Sequence, residues 1–372
     1  MSNPGLRIGI LGGGQLARML ALKGSELGFT MHVLSPNASD PAAQVVRHHH
    51  LGDPNRSEAL KNFLTEVDVA TFESEFLNAD ALTAVSKILP VKILPTPPTM
   101  GILQDRLTQK QVLVANGIPT LPFVQIEGEA DALSFLTTHS KGIVLKQRRF
   151  GYDGYGTFVV KNPQDLGPLF DRLRGPLAEL IAEPFCAFKR ELAITLVRTR
   201  AGELTEFPLV QTKQENSRCL WVKGPISHKA KASLVKRLYP LLETTNYVGA
   251  IAFELFETTS GLIVNEVAPR VHNSAHYSLD AMAMDQFAAH LLAIAGEEIP
   301  EPTLYSKGFA MINLLGQSTK PPSWTLSEGA RLHWYGKLDN RPGRKMGHLN
   351  ALGSSAEEAL RKVQRAQRRF KL

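Results

Sequence analysis

Cysteine is almost missing from this chain of 372 residues: Cys186 and Cys219 are the only two. Such a pair encodes neither a disulfide framework nor a thiolate metal site, and both thiols read as small apolar fillers. No run of about 18 apolar residues occurs, which excludes a membrane-spanning helix. No basic segment followed by an apolar stretch opens the chain, so a secretory signal is not expected. Together these absences point to a reduced, cytoplasmic compartment. Charge of one sign is not in large excess, since 42 Lys and Arg face 35 Asp and Glu for a net +7. That surplus suits an anionic metabolite. No basic run with interleaved aromatics precedes the C-terminal tail, so nucleic acid is not an expected partner, and neither is a membrane.

What is present is an alternation of strand and helix patterns over the first hundred residues. "LRIGIL" reads as a buried strand, "QLARMLALKGSELG" as a helix, "TMHVLSP" as the next strand, and two more such units follow. Repeated β-α units predict a parallel sheet with helices on its faces. The proline-dense "ILPTPPTM" marks a boundary. From Gly101 a helix is expected over "ILQDRLTQKQVLVANG", then strands around a glycine-rich loop, then further α/β structure. A second seam, "EEIPEPT", introduces short strands and the basic helix "AEEALRKVQRAQRRFKL". The expected division is 1–98, 99–300 and 301–372.

The first turn, "IGILGGGQLARML", satisfies G-x-G-x-x-[GA] through Gly12, Gly14 and Ala17. Glycines admit an anion to the following helix N-terminus. A dinucleotide site normally adds an acid at the end of the second strand. Here that strand ends in Ser35 and Pro36, which favours another phosphate. A second glycine loop, Gly151, Gly154 and Gly156, follows Lys146, a pairing suited to polyphosphate; no G-K-[ST] follows, so it is not a Walker loop.

Two carboxylates, Glu254 in "IAFELF" and Glu266 in "GLIVNEVAPR", flank the hairpin turn "ETTSG". With Asn265 they offer oxygen ligands for Mg²⁺. Arg270, His272, Asn273, Ser274 and His276 crowd the next residues. Arg270 is expected to fork an oxyanion and His272 to titrate near neutrality as a proton shuttle; His276 also reads as a structural residue. Arg344, Lys345 and His348 form a further basic turn. His48, His49 and His50 look like metal ligands, but neighbours on a strand alternate and rarely converge on one ion.

Across nearly its whole length the sequence resembles the 5-(carboxyamino)imidazole ribonucleotide synthases, ATP-dependent carboxylases of purine synthesis in the ATP-grasp superfamily. The resemblance rests on "GGGQLARML", "DPAAQV", "QDR", "GYDGYG", "FKREL", "NEVAPRVHNSAH" and "YGK…RPGRKMGH", in that order. It implies an ATP-grasp fold, with an N-terminal Rossmann-like parallel-sheet domain and a small C-terminal β-rich domain. It also implies that ATP activates bicarbonate as carboxyphosphate and that the product is a carbamate on aminoimidazole ribonucleotide. Mg²⁺, or Mn²⁺ in its place, would sit at Glu254 and Glu266. ATP would meet Arg106, Lys146, the loop Gly151, Tyr152, Asp153, Gly154, Tyr155, Gly156 and Thr157, then Glu183, Pro184, Phe185, Cys186, Glu191, Gln214, Asn265 and Glu266. Within that set Glu183 and Cys186, with the backbone between them, would hold adenine, and Glu191 the ribose. The ribonucleotide would meet Gln15, Leu16, Glu73, Tyr152, Asp153, Asn273 and Ser274, with Arg344 and Lys345 on its phosphate. Arg270, His272 and Lys345 would be catalytic, and the chain a homodimer.

The chain departs from the family pattern at Tyr155, where a cation is usual, and at Phe76, where Asn is usual. Gln211 and Gln214 replace a Glu and a His, and Pro184 replaces a Glu. These departures leave open an ATP-grasp ligase with another acceptor, or a nucleotide-binding homologue without catalysis.

Overall fold

The computed structural model describes residues 5–149, 151, 156–173, 179–215, 218–326 and 328–372. The predicted β-α repeat closes into a five-stranded parallel sheet. Its strands are β1 (Arg7–Leu11), β2 (Thr30–Ser35), β3 (His48–Leu51), β4 (Val69–Phe72) and β5 (Lys92–Ile93), in the order β3-β2-β1-β4-β5. The central strands are apolar on both faces because both are covered. Ile8, Ile10 and Val33 pack with α1 (Gln15–Glu26). Leu11, Leu34 and Phe72 pack with α2 (Ser57–Leu64) and α3 (Ala79–Ser86) on the other side. At the edge, His48 and His50 share one face: the rings of His32 and His48 stack at 4.5 Å, and His32 Nδ1 lies 3.1 Å from His50 Nε2. His49 points the other way, to Ser35 Oγ at 3.0 Å.

The proline seam opens a helix. α4 (Pro97–Gln104) has its prolines in the first turn, where the missing N–H costs nothing, and Thr96 caps it. The boundary expected after residue 98 therefore falls inside α4. The single helix expected from Gly101 is broken at Asp105, which is extended (φ −100°, ψ 118°). Asp105 caps α5 (Arg106–Ala115), its carboxylate accepting from the Leu107 amide at 2.9 Å.

A four-stranded antiparallel sheet follows: β6 (Val124–Ile126), β7 (Ile143–Gln147), β8 (Thr157–Val160) and β9 (Leu180–Pro184), ordered β6-β9-β7-β8. It is backed by α6 (Glu129–Thr137) and α7 (Leu166–Arg172). The largest sheet has nine strands. Its core is β10 (Arg190–Arg198), β12 (Val210–Glu215), β13 (Arg218–Gly224), β14 (Gly249–Thr258) and β15 (Gly261–Ala268), with the short β11 (Leu204–Glu206) on β10. α8 (Lys231–Thr244) lays Leu234, Leu238, Leu241 and Leu242 against Ile194, Ile251 and Phe253.

Residues beyond 301 form the expected small β-rich C-terminal unit, and its strands continue this same sheet. β16 (Gly308–Leu315) pairs with β13 in the register Val222↔Met311. β19 (Lys345–Gly353) and β18 (Arg331–Trp334) follow at the edge, covered by α11 (Ala356–Gln367). The pair β17 (Ser323–Trp324) and β20 (Phe370–Lys371) closes the end. The second proline seam is only the connection out of α10 (Gln286–Ala295), which follows the short α9 (Ser278–Ala281).

α10 ties the first sheet to the largest one. Residues from Gln286 to Ile294 are all buried. His290 takes Thr71 Oγ1 of β4 at 2.8 Å on one ring nitrogen and the Ala250 amide of β14 at 3.0 Å on the other. A single apolar core runs from Ile8 through Leu20 to Val197 and Leu291. The walls of the cleft between these sheets are thereby fixed.

Candidate active site

That cleft is a cavity of about 690 Å³, lined by the start of α1, the segment after β4, the four- and nine-stranded sheets and α5. Its floor is the β14–β15 hairpin. Glu254 and Glu266 are direct cross-strand partners, and the register slips immediately beyond them. Asn265 is the extra residue of this bulge, which re-aims side chains locally, and both Asn265 and Glu266 line the cavity although they are sequence neighbours. Burial on the floor, then the charges of Glu266 and Glu191, push the Glu254 carboxyl up to about 7. Two acids crowded this way, open to a cavity, fit a hard divalent cation that takes carboxylate oxygens and shares substrate phosphates.

Cations face them. Arg106, at the start of α5, donates from Nη2 to Glu266 at 2.9 Å and from Nη1 to the Gln147 carbonyl at 2.8 Å. Lys146, at the end of β7, sits 2.6 Å from Glu183 Oε2 and donates to Asn265 Oδ1 at 2.9 Å. The Asn265 oxygen expected as a metal ligand also accepts from Lys146. Glu183, expected at the adenine, turns its carboxylate to two lysines: Lys146 and, at 2.5 Å, Lys110. What remains at that wall for a base is Pro184, Phe185, Cys186 and Leu121, with the stacked rings of Phe188 and Phe256 nearby. Glu191 accepts from the Gln214 amide at 3.2 Å, and burial raises its carboxyl above the usual range.

Asp105 anchors the stem of the glycine loop. Arg148 donates to it from Nε at 3.0 Å and Nη2 at 2.6 Å, and Arg149 from Nε at 3.1 Å. Burial works to raise this carboxyl, but the Arg148 bond, the Leu107 amide and the two arginine charges outweigh it and hold it below its ordinary value. Stability from a depressed carboxyl is complete above its unfolded value of about 4 and is lost as pH falls through the folded one. Asp105→Asn is therefore expected to cost about 1.5–3 kcal/mol at neutral pH. The gap to wild type in thermal midpoint should narrow in acid; an undiminished gap down to about pH 3 overturns the assignment.

The far wall carries the expected catalytic group. Arg270 forks onto Glu75, with Nη2 donating at 2.9 Å and Nε completing the pair. Burial pulls against the Glu75 charge, yet Arg270 keeps the carboxyl below its usual range. His272 does not titrate near neutrality as its type suggested. Burial, then the charges of Arg270 and Lys345, push it down to about 3, so the imidazole is neutral. Its Nδ1 meets Ser274 Oγ at 2.9 Å and its Nε2 lies 3.7 Å from Glu254. Ser274 is buried behind His272 and off the cavity; Asn273 and Lys345 line it. Arg344 does not: it bonds the Asp339 carbonyl at 3.0 Å. His348 is a core residue, fully buried against Tyr335 Oη at 2.9 Å, and His276 packs beside it with Nδ1 on Gln286.

Gln15, Leu16 and Glu73 close the cavity from the first sheet. The helix N-terminus that the opening turn prepares for an anion already has one. Glu73 accepts from the amides of Gly14 and, at 3.0 Å, Ala17. A Cβ on Gly12, whose φ is +107°, would stand 2.8 Å from the Glu73 side chain, so the glycine turn is shaped to this carboxylate. Gly151 and Thr157 line the cavity and Gly156 does not. Tyr152, Asp153, Gly154 and Tyr155 lie outside the described residues. Cys186 and Cys219, read as fillers, both border the cavity, and Phe76 does too. Among residues given no role from the sequence, Lys110, Asp105 and Glu75 organise the site. Their signal is burial, which a single sequence does not display.

Three family models match in chain order: the ribonucleotide synthetase preATP-grasp domain over residues 6–104, the ATP-grasp domain over 111–287, and the phosphoribosylaminoimidazole carboxylase C-terminal domain over 310–362. Fold and site together define an ATP-grasp ligase. The N5-carboxyaminoimidazole ribonucleotide synthase of Synechococcus elongatus is 38% identical, over 98% of this chain and 94% of its own. The chain belongs to the N5-carboxyaminoimidazole ribonucleotide synthase family. The Staphylococcus aureus N5-carboxyaminoimidazole synthetase in complex with ADP matches with a TM-score of 0.89 at 29% identity, over 98% of this chain and 97% of that one. The Aspergillus clavatus synthase in complex with ADP and 5-aminoimidazole ribonucleotide gives 0.87 at 27% identity, covering 98% and 99%. No helix among the described residues is long and apolar enough to cross a membrane.

Proposed function

We propose that this chain carboxylates 5-aminoimidazole ribonucleotide to N5-carboxyaminoimidazole ribonucleotide, using ATP and bicarbonate, in purine biosynthesis in the cytoplasm. One observation carries the reading: phosphate-side cations, a carboxylate pair and the Arg270–His272–Lys345 group face a single cavity, in a chain of this family.

The reaction transfers the ATP γ-phosphoryl group to bicarbonate, giving carboxyphosphate and ADP. The exocyclic amine of the ribonucleotide then attacks the carboxyl carbon, or CO₂ released from it; the C–O bond to phosphate breaks and the amine proton passes to the departing phosphate. Lys146, Arg106 and the glycine loop meet the phosphates. Glu254 and Glu266 are suited to hold Mg²⁺, which when bound would offset phosphate charge. Arg270 and Lys345 offer positive charge to the bicarbonate-derived anion, and His272, being neutral, offers a hydrogen-bonding nitrogen. Carboxyphosphate is short-lived in water, so an enclosed cationic cavity is what the chemistry requires. The Glu73 carboxylate already accepts from the Gly14 and Ala17 amides at the start of α1, which favours another seat for the ribonucleotide phosphate, with Lys345 a cation at hand.

The test is ADP release with ATP, Mg²⁺ and bicarbonate, with and without aminoimidazole ribonucleotide. Stimulation by the ribonucleotide is expected. Its absence despite bound ATP overturns the reading. Phe76 on the cavity wall makes an ATP-grasp ligase with a different amine acceptor the alternative, recognised by stimulation with another amine only.

A further inference from the structure

Lys110 is a cation that the chemistry above does not use. It lies one helical turn after Arg106 on α5 and is 1% exposed, so it reaches neither solvent nor the cavity itself. Its ammonium sits 2.5 Å from Glu183 Oε1 and donates to Thr120 Oγ1 at 2.7 Å. Thr120 in turn donates to the Val264 carbonyl of β15 at 2.7 Å, beside Asn265. The other Glu183 oxygen faces Lys146, which does line the cavity. Two buried ammonium groups therefore share one buried carboxylate, and they are arranged asymmetrically: Lys146 opens to the ligand and Lys110 lies behind.

Charge accounting gives this asymmetry a purpose. With Glu183 as its only close ionic partner, Lys146 would form a neutral pair and have little charge left for an incoming anion. With the carboxylate divided between two cations, the group keeps a net positive charge, and Lys146 presents it to the cavity. Lys110, sealed from the cavity, would lose its proton without that carboxylate, whereas Lys146 opens to the cavity. Lys110 itself shows the strain of the arrangement, for burial and the charge of Lys146 outweigh Glu183 and bring it down to about 8.

We propose that Lys110 is a positioning residue for nucleotide phosphates: it takes up half of Glu183, so that Lys146 is both aimed and left charged. This rests on reading the cavity as the ATP site. The contrasting case is a lysine that only neutralises Glu183 for folding.

Calorimetric titration with ADP, together with steady-state kinetics in ATP, separates the two. Lys110→Met is expected to weaken ADP binding at least about tenfold, the factor corresponding to 1.4 kcal/mol. The KM for ATP should rise in parallel, while kcat at saturating ATP changes less. In Lys110→Met/Glu183→Gln the carboxylate that would trap Lys146 is gone, and most of the lost affinity should return. If Lys110→Met does not fold, Glu183→Gln is compared with the double variant as one edge of a mutant cycle. With no carboxylate to share, removing Lys110 should then leave ADP affinity unchanged. Wild-type ADP affinity in Lys110→Met, or further loss on that edge of the cycle, overturns the inference. Failure of the wild-type chain to bind ADP at all overturns the ATP reading beneath it.

Discussion

Arg270→Met is expected to lower both activity and stability, and a second substitution is expected to return only the stability. Arg270 and Glu75 form a forked pair in which each side chain is largely enclosed. Removing the guanidinium leaves the Glu75 carboxylate with its burial cost and without the partner that depresses its titration. Breaking such a pair costs about 3–5 kcal/mol, and the lower end applies here because the cavity gives Glu75 some access to water. The thermal midpoint should fall by several degrees. Arg270→Met/Glu75→Gln removes the orphaned charge as well and should regain most of that loss. Activity should behave differently. The cavity keeps Lys345 but loses the forked cation facing the developing oxyanion, and kcat/KM should drop by about 10²–10³ in both variants. Recovery of activity in the double variant would make Arg270 a structural residue only. An unchanged midpoint in Arg270→Met would mean that the pair does not hold the fold.

The residues behind this prediction stand 195 positions apart, and that distance explains why part of the site was legible in sequence and part was not. Features held within one short segment could be read. The strand and helix periods of the first sheet, the glycine turn, the acids on either side of a hairpin and the dense polar run after Ala268 all announce themselves locally. What depends on distant packing could not be read. Asp105 looked like one polar residue inside a helix; its extended backbone and two arginine partners come from its place between α4 and β7. His272 looked like a neutral-pH proton shuttle because residue type sets the starting point, whereas burial and two neighbouring cations set the outcome. That the Glu183 carboxylate faces Lys110 of α5 is likewise not written near Glu183 in the chain. The opening turn reads as a phosphate site, and nothing in its own segment shows that its amides carry the Glu73 carboxylate, delivered by the next strand but two. The bulge at Asn265 also escapes a period-of-two reading, which would put Asn265 and Glu266 on opposite faces.

The carboxylate pair on that hairpin yields the prediction with the sharpest split between function and fold. Glu266→Gln is expected to lower kcat for ADP formation by about 10²–10³, the loss attending removal of one charge-stabilising contact in a transition state. Stability should move little, because two effects oppose each other. The substitution gives up the 2.9 Å contact between Glu266 and Arg106. It also removes the like charge that, after burial, contributes most to raising Glu254. A partly exposed ion pair is worth about 1 kcal/mol at most, and relief of the crowded acids offsets it, so the midpoint should stay near wild type. A metal readout tests the assignment independently of turnover: Mn²⁺ titrated with ADP present, followed by water-proton relaxation, should bind wild type and be weakened at least about tenfold in Glu266→Gln. Higher Mg²⁺ should then recover part of the activity, since lost affinity is compensated by concentration. Wild-type turnover in Glu266→Gln, or undiminished Mn²⁺ binding, refutes the metal role. A large fall in the midpoint would instead make the Arg106 contact structural, with the activity loss following from a misplaced α5.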